Sequence, residues 1–388
     1  MPRFFKTKSK CTIRIFAAAS FLNDLGSDMI RPLWPLFVVQ VLGANMTILG
    51  LIDGLGEALV SISQAVSGWL SDRWKKRKVF IWVGYLCGAI SRVGYAFTTS
   101  WPWLIPFRGL DRIGKIRGAP RDAIIADIST KRNRGKNFGF LRAFDHLGAV
   151  VGITISLLLF QVLGYRQIFL LAVLPSLISA GLILKFVHER KKTKAGSSKG
   201  VNFRKLSLNL KLFFLVSAFF SLGAFSYSFL LLFAKNAGFS AATVPIFYLI
   251  FTLVASLSSL PFGKLSDRIG RKLVLIIALV LWAITDSIAI FSSGNFAIFI
   301  MFILYGFHLG ALQPSQKAFV SELAPVKFRA SVLGGYQMVV GLCALPASLA
   351  AGLFWDWFGF LAPFKVSLVL TVLSIILLTF VGTKKATQ

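Results

Sequence analysis

Acidic residues and cysteines are scarce in this chain of 388 residues. Only 14 Asp and Glu stand against 43 Lys and Arg, and 15% of the residues are charged, where soluble domains average about 25%. The 3 cysteines form no Cys-x-x-Cys pair, which excludes a disulfide framework and a cysteine-based zinc site. Nucleic-acid binding would explain the net charge of +29, but not so few charges in a chain that is 56% hydrophobic. The composition therefore predicts a membrane protein.

Signatures of catalysis are also missing. The sequence contains no His-Glu-x-x-His zinc motif and no complete phosphate-binding loop. Its polar stretches are too short to form a separate soluble catalytic domain. We therefore expect no enzymatic activity, no cofactor and no bound metal.

Apolar stretches long enough to cross about 30 Å of hydrocarbon recur along the chain. We predict an all-α polytopic membrane protein with an N-terminal six-helix bundle at 1–187, a cytoplasmic linker at 188–209 and a C-terminal six-helix bundle at 210–388. The twelve predicted spans lie at roughly 13–41, 46–70, 79–99, 101–127, 137–163, 166–187, 210–235, 241–264, 272–292, 295–321, 328–354 and 362–382.

Lys and Arg are distributed unevenly between alternate loops. The N-terminal tail, the linker and the loops after spans 2, 4, 8 and 10 are basic, whereas the loops VLGANM, TTSWPW, SSGNF and WDWFGFLAP contain neither residue. Because basic loops stay on the cytoplasmic side, both termini are predicted to be cytoplasmic, in a bacterial inner membrane, with the N-terminal tail retained. Topology and anionic lipid headgroups account for the basic residues, so no nucleic-acid partner is expected.

One short motif occurs twice. The sequence GWLSDR begins at Gly68 after span 2, and GKLSDRIGRK begins at Gly263 after span 8, 195 residues later. This offset is close to half the chain and indicates that one six-helix unit is present twice in parallel orientation. Glycine permits close helix approach, and Asp and Arg can pair across a tight loop.

With these two motifs, twelve spans and a basic linker, the sequence resembles the major facilitator superfamily over its whole length. The superfamily signature G-x-L-S-D-R-x-G-R-[RK] is matched in full at 263–272, whereas 68–78 lacks the second glycine. The resemblance implies two bundles around a central cavity and alternating access by rocking of the halves. It also implies a small-molecule substrate, and we expect a monomer in the lipid bilayer.

Acidic residues inside the predicted spans mark candidate functional positions. An ionised side chain at mid-bilayer costs about 2.5–3.5 kcal/mol on insertion scales, so such residues are expected to face the bundle interior. Residues three, four or seven apart share one face of a helix. This spacing selects a mid-membrane cluster as the candidate substrate and proton site, to which a lone histidine of span 10 is added. Its members are Asp24, Asp28, Arg31, Asp53, Glu57, Arg108, Asp111, Arg112, Lys115 and His308.

A second set of charged and glycine positions is predicted nearer the cytoplasm, where it would form a salt-bridge gate. The gate candidates are Gly68, Asp72, Arg73, Arg142, Asp145, Gly263, Asp267, Arg268 and Arg271.

Span 4 resembles the family pattern with two departures, one of which is Asp111 at a position where a Gln is usual. Arg108 and Gly114 resemble the Arg and Gly of a motif whose Arg is tied to proton transfer in drug–proton antiporters. The following stretch resembles a permease branch with D-R-x-G-K-G-I-R, but one glycine is missing after Lys115. A missing residue turns the following helix by about 100°, so Arg117 and Arg121 are expected to face differently from their counterparts.

The interior charges predict proton-coupled secondary transport of a small anionic organic solute. Neighbouring carboxylates such as Asp53 and Glu57 disfavour double ionisation, and three cations on one face of span 4 can attract a carboxylate or phosphate. A multidrug–proton antiporter stays open as an alternative, although Ile153 replaces the proline of an exporter motif in span 5. A non-transporting membrane sensor is a more distant alternative, and the charges can also serve only to neutralise one another.

Overall fold

The computed structural model describes residues 3–74, 76–128, 134–187, 207–292, 294–324 and 329–382. This part of the chain is helical and contains no strand, with a π turn at Phe37–Val41 and a 3₁₀ turn at Gly114–Arg117. The α-helices are α1 (Arg3–Ile30), α2 (Trp34–Leu36), α3 (Met46–Trp74), α4 (Arg77–Phe97), α5 (Trp101–Ile113), α6 (Gly118–Ile128), α7 (Arg134–Leu171), α8 (Val173–Phe186), α9 (Leu208–Gly223), α10 (Tyr227–Asn236), α11 (Val244–Ile269), α12 (Arg271–Phe291), α13 (Asn295–Leu323), α14 (Arg329–Phe358) and α15 (Ala362–Thr379).

Nine helical segments among the described residues are long and apolar enough to cross a membrane. This number is lower than the twelve predicted spans for three reasons. Helix α1 carries three charges within its apolar stretch, α5 and α6 are each too short, and the segment Phe140–Phe186 joins two predicted spans. Gly164 bends that joined segment, with φ of 70°, a conformation that glycine adopts without steric cost.

The chain divides into two compact units. Unit 1 comprises Met1–Gly43 and Leu59–Ser197, and unit 2 comprises Ala44–Ala58 and Ser198–Gln388. Helix α3 contributes its first part to unit 2 and its second part to unit 1. The predicted linker at 188–209 lies outside the described residues as far as 206.

Local sequence explains several helix ends. Helix α1 stops at Ile30 because Arg31 precedes Pro32, and proline disfavours the α conformation in the residue before it. Gly270, with φ of 98°, separates α11 from α12. The break between α9 and α10 ends at Ser226, whose hydroxyl accepts a hydrogen bond from the backbone N–H of Ser228 at 3.3 Å and so caps α10.

Within unit 1, α1 packs against α7 and α8, and α4 packs against α8 and α5. The core between these helices contains buried Phe16, Tyr85, Leu141 and Ile183. Two glycines four residues apart bring α7 against α1. A Cβ atom at Gly148 or Gly152 would collide with backbone oxygens of α1, so this contact requires glycine.

Unit 2 has a core rich in aromatic rings. Helix α11 packs against α13, and α12 packs against α13 and α15. The ring of Phe225 lies 5.6 Å from that of Trp282 and 5.1 Å from that of Phe364. The ring of Trp282 also lies 5.4 Å from that of Tyr305. These rings fill the space between α12, α13 and α15.

The first part of α3 is held in unit 2 by polar and close-packed contacts. The carboxylate of Asp356 on α14 accepts hydrogen bonds from the backbone N–H groups of Met46 and Thr47, at 3.2 and 2.8 Å, and thus caps α3. Gly50 and Gly54 lie against the backbone of α14, where a side chain would collide. These contacts fix the position of Asp53 within unit 2.

The internal repeat recurs in one hydrogen-bond pattern. In unit 1, Lys78 Nζ on α4 donates to the carbonyl of Leu184 in the last turn of α8 at 2.7 Å, across 106 residues. In unit 2, Lys272 Nζ on α12 donates to the carbonyl of Thr379 at the end of α15 at 2.6 Å, across 107 residues. Each lysine stands at or just after the end of its copy of the repeated motif and donates to an orphan carbonyl at the end of the unit's last helix.

Candidate functional site

Unit 1 gathers five basic side chains around one small cavity. The free space inside is about 20 Å³, slightly more than the space that one water molecule requires. Polar and aromatic side chains complete the wall. The lining residues are Ser27, Ile30, Arg31, Trp34, Arg92, Tyr95, Arg108, Asp111, Arg112 and Lys115. We call this the cationic cavity.

Helix α5 contributes three of the charged side chains at spacings of three and four residues. The guanidinium carbon of Arg108 lies 4.0 Å from the ring centre of Trp34, in a cation–π contact. Arg112 Nε lies 3.4 Å from Asp111 Oδ2. Lys115 follows in the 3₁₀ turn and also lines the cavity.

Helix α1 supplies the nearby acids. Arg31 Nη1 donates to Asp28 Oδ1 at 3.0 Å, and Asp28 is buried. Asp24 accepts a hydrogen bond from Asn23 Nδ2 at 2.9 Å and interacts electrostatically with Lys115. Three acids, Asp111, Asp28 and Asp24, thus lie near the five cations of the lining.

Arg92 is the residue of this site that sequence reasoning missed. Its side chain is buried in unit 1 and donates to the carbonyls of Ala172 and Asn23 at 2.8 and 3.2 Å. It also donates to the hydroxyls of Ser27, at 2.8 Å, and Ser176. The signal was present, because Arg92 is a lone cation in an otherwise apolar span, and such residues are functional candidates by default.

Arg117 and Arg121 are both buried in unit 1. Arg117 Nη1 donates to the carbonyl of Gly114 at 2.8 Å, and Arg121 Nη1 donates to Ser20 Oγ at 2.6 Å. They follow the 3₁₀ turn at Gly114–Arg117, which advances about 120° per residue instead of 100°. Four such residues add about 80°, which offsets most of the rotation that a missing residue removes.

The gate candidates of unit 1 do not form one continuous network in the described residues. Arg142 Nη1 lies 3.4 Å from Asp145 Oδ2, within one helix. Arg73 lies over the ring of Trp69 at 5.2 Å. Gly68 faces Ala119, and the side chain of Asp72 lies outside the described part of the structure.

Two gate candidates of unit 2, Asp267 and Arg271, form an ion pair. Arg271 Nη2 lies 2.5 Å from Asp267 Oδ1, its Nε lies 3.3 Å from Glu322 Oε2, and its Nη1 donates to Ser266 Oγ at 3.0 Å. These side chains line a cavity of about 490 Å³. Arg268 is exposed, and a side chain at Gly263 would meet no atom within 4 Å.

Three of the predicted substrate and proton residues belong to unit 2 and not to the cationic cavity. Asp53 Oδ2 accepts hydrogen bonds from Ser226 Oγ at 2.7 Å and Ser228 Oγ at 2.5 Å, at the break between α9 and α10. Glu57 is exposed on α3. His308 is buried, and its Nδ1 lies 2.7 Å from the carbonyl of Ala278, so that nitrogen carries the hydrogen.

No three His, Cys, Asp or Glu side chains among the described residues come together as metal ligands would. The arrangement is instead that of polar and charged side chains buried between apolar helices. Such an arrangement can bind a small charged solute and exclude water from it.

Comparison with known proteins agrees with this architecture. The sequence model of the Major Facilitator Superfamily matches residues 16–255 and 212–388. The chain belongs to this superfamily. It is therefore a multi-pass membrane protein of the transporter type, with the all-α fold that the apolar stretches predicted.

Relatives within the superfamily differ in what is known of them. An uncharacterized transporter of the superfamily from Methanocaldococcus jannaschii is 37% identical over 95% of this chain and 94% of its own. The multi-drug resistance efflux pump PmrA of Streptococcus pneumoniae is 26% identical, over 92% of each chain. The crystal structure of a POT family transporter in complex with 5-aminolevulinic acid is 12% identical, with a TM-score of 0.78 and 95% of each chain covered. The last comparison shows the shared fold.

Proposed function

We propose that this superfamily member is a proton-coupled transporter of a small anionic organic solute. The observation that carries the proposal is the cationic cavity, in which Arg31, Arg92, Arg108, Arg112 and Lys115 line one space together with a single acid, Asp111. Guanidinium groups bind carboxylates and phosphates in a two-pronged geometry, so this lining suits an anion.

The small size of the cavity is compatible with alternating access. A free volume of about 20 Å³ holds no organic solute, so binding requires the walls to move apart. In this superfamily, rocking of the two halves provides such movement. The ion pairs of Arg271 with Asp267 and Glu322 support a role as a cytoplasmic gate in unit 2, and Arg142 with Asp145 supports one in unit 1.

The topology completes the proposal. Both termini and the linker face the cytoplasm, because the basic loops alternate along the chain. The linker connects the two six-helix bundles in sequence, and one chain forms the transport unit.

Transport into proteoliposomes tests the proposal. Purified protein is reconstituted, a pH gradient is imposed, and a panel of labelled carboxylates and phosphorylated metabolites is offered. We expect gradient-dependent accumulation of at least one anion, at least tenfold slower for Arg112→Gln, because a lost charged hydrogen bond is worth about 1.5–3 kcal/mol. Arg166→Gln removes an exposed cation and is the matched control. If no anion in the panel accumulates to a greater extent when the pH gradient is imposed, proton coupling is contradicted.

Multidrug efflux is the second candidate, because the relative PmrA is a multi-drug resistance efflux pump. The cationic lining opposes it for cationic drugs, since two like charges 4 Å apart repel by about 4 kcal/mol at an effective dielectric constant of 20. Resistance to cationic dyes on overexpression, compared between the wild type and Glu57→Gln, separates the two functions. Dye resistance that Glu57→Gln abolishes favours efflux.

A further inference from the structure

One carboxyl is enclosed in the interior of unit 2. Asp286 lies on α12 and has 0% of its surface exposed. Its Oδ2 accepts a hydrogen bond from Ser367 Oγ on α15 at 2.7 Å. Ser367 in turn accepts one from Trp282 Nε1 at 2.9 Å, so its hydroxyl is occupied as donor and acceptor. Asp286 Oδ1 is buried and has no hydrogen-bond partner.

Helix α13, which packs against α12, presents two titratable side chains to Trp282, one turn before Asp286 on α12. The rings of Tyr305 and His308 lie 5.4 and 5.2 Å from the ring of Trp282. The Nδ1–H of His308 is committed to the carbonyl of Ala278, two turns before Asp286 on α12. Farther along α13 come Lys317 and Glu322, and Glu322 meets Arg271 at the start of α12.

Helices α15 and α11 also pack against α12. On α15 the charged residue is Lys365, which is exposed. On α11, Tyr248 packs its ring against those of Tyr227 and Phe251, and the charged Lys264, Asp267 and Arg268 lie at the helix end. That end adjoins the start of α12, about 22 Å along the helix from Asp286. Among the described residues, Asp286 therefore forms no ion pair.

These surroundings suit a neutral carboxyl. An ionised carboxylate without a counter-charge and with a single hydrogen-bond donor is strongly disfavoured in a water-free interior. In the neutral form, Oδ2 is the carbonyl oxygen that accepts from Ser367, and Oδ1 carries the hydrogen. The unequal contacts of the two oxygens match these two roles.

We propose that Asp286 is a proton-binding site of unit 2 and carries the proton that is coupled to solute movement, an inference that rests on the proposed function. When the site opens to water, the Oδ1–H bond breaks, the proton passes to water and the carboxylate keeps its hydrogen bond from Ser367. When a proton returns from water to Oδ1, the site can close again over a neutral side chain. Solute and proton then occupy different units.

Infrared spectroscopy of the protein in lipid vesicles tests proton binding directly. The wild type is expected to show the carbonyl stretching band of a protonated carboxyl at neutral pH, and Asp286→Asn to lack one such band. Ser367→Ala removes the donor to Oδ2, so the same band is expected to persist at higher frequency, which assigns it without altering Asp286. Thr371→Val is the matched control, because Thr371 is another buried hydroxyl on α15 whose side-chain oxygen has no partner. Identical spectra of the wild type and Asp286→Asn overturn the proposal.

Transport tests the coupling. We expect Asp286→Asn to lose accumulation driven by a pH gradient, at least tenfold, while labelled anion still exchanges across vesicles at equal pH. Accumulation by Asp286→Asn as strong as that of the wild type overturns the inference and leaves the proposed function standing. If the wild type itself accumulates no anion under a pH gradient, the proposed function and the coupling role both fail, and the infrared band alone decides whether Asp286 holds a proton.

Discussion

The interior of unit 1 holds several buried guanidinium groups, whereas the buried acids described in unit 2 are Asp53, held by two serines, and Asp286, which lies among aromatic rings. In unit 1, the charge of Arg92 is surrounded by carbonyl and hydroxyl oxygens, and Arg31 pairs with Asp28. In unit 2, Asp286 receives one hydrogen bond and lies near Trp282. The repeat has therefore kept its helices and diverged in its polar interior, which favours a division of labour between anion binding and proton binding.

The largest expected effect is on the free energy of unfolding, which should respond differently to a substitution in the interior of each unit. Arg92→Met should lower the free energy of unfolding by about 3 kcal/mol or more, because two carbonyls and two hydroxyls lose a charged donor. Asp286→Asn should cost far less, since it replaces a neutral carboxyl of similar size. Denaturant unfolding in detergent micelles measures both variants. Equal losses of unfolding free energy in the two variants would contradict the difference between the two interiors.

The glycine contact between α1 and α7 provides the next prediction. Gly152→Ala should destabilise the protein by about 1–3 kcal/mol, because the added methyl group meets the backbone oxygen of Leu25. Gly181→Ala is the control, since no atom lies within 4 Å of its added Cβ. Thermal unfolding followed by helical circular dichroism compares the two. A neutral Gly152→Ala would show that this helix contact is looser than described.

Removing the acceptor at the break between α9 and α10 should have a smaller effect. Asp53→Ala leaves Ser226 and Ser228 without their shared carboxylate and should cost about 1–2 kcal/mol. Asp356→Ala, which removes the cap of α3, should cost about 1 kcal/mol. Urea unfolding of the single and double variants measures whether the two contacts act independently. Additive losses are expected because Asp53 lies about two helical turns, roughly 10 Å, from the N–H groups of α3 that Asp356 caps.

The smallest effect concerns the feature that the two units share. Lys78→Met and Lys272→Met should each cost about 0.5–1 kcal/mol, because each removes an ammonium group that donates near a helix C-terminus. Lys78 donates to the carbonyl of Leu184, and Lys272 donates to those of Thr379 and Val381. The losses should be similar in both units when measured by thermal unfolding. A large loss in only one unit would show that the repeat is less symmetric than its hydrogen bonds indicate.

The sequence was sufficient to predict the superfamily, the helical fold and the grouping of Arg108, Asp111, Arg112 and Lys115. Helical spacing along α5 and into the 3₁₀ turn that follows it brought these residues to one face, and that inference needed no tertiary information. The sequence could not show that Asp53 and Glu57 lie in a different unit from these residues, because the first part of α3 belongs to unit 2. Spacing along one helix does not determine which neighbouring helix that face meets.

Helix geometry that departs from the ideal also escaped prediction. The expectation for Arg117 and Arg121 assumed α-helical rotation throughout the span. In the structure, the four residues Gly114–Arg117 form a 3₁₀ turn. Likewise, the break between α9 and α10 interrupts a stretch that hydropathy reads as one span. Such breaks depend on local capping and packing, and an average over a long apolar window conceals them.

Fluorescence of Trp34 is the most direct test of the central claim that the cationic cavity binds an anion. Trp34 is 1% exposed and contacts Arg108, so an anion that draws this guanidinium away should change its emission. Titration of the purified protein with the transported organic anion should give a saturable change in emission. The dissociation constant obtained from this change should be about tenfold higher for Arg112→Gln than for the wild type. The change should be lost in Trp34→Phe and intact in Arg166→Gln. A saturable response to a lipophilic cation that Arg112→Gln leaves unaltered, with none to any organic anion, would contradict the account.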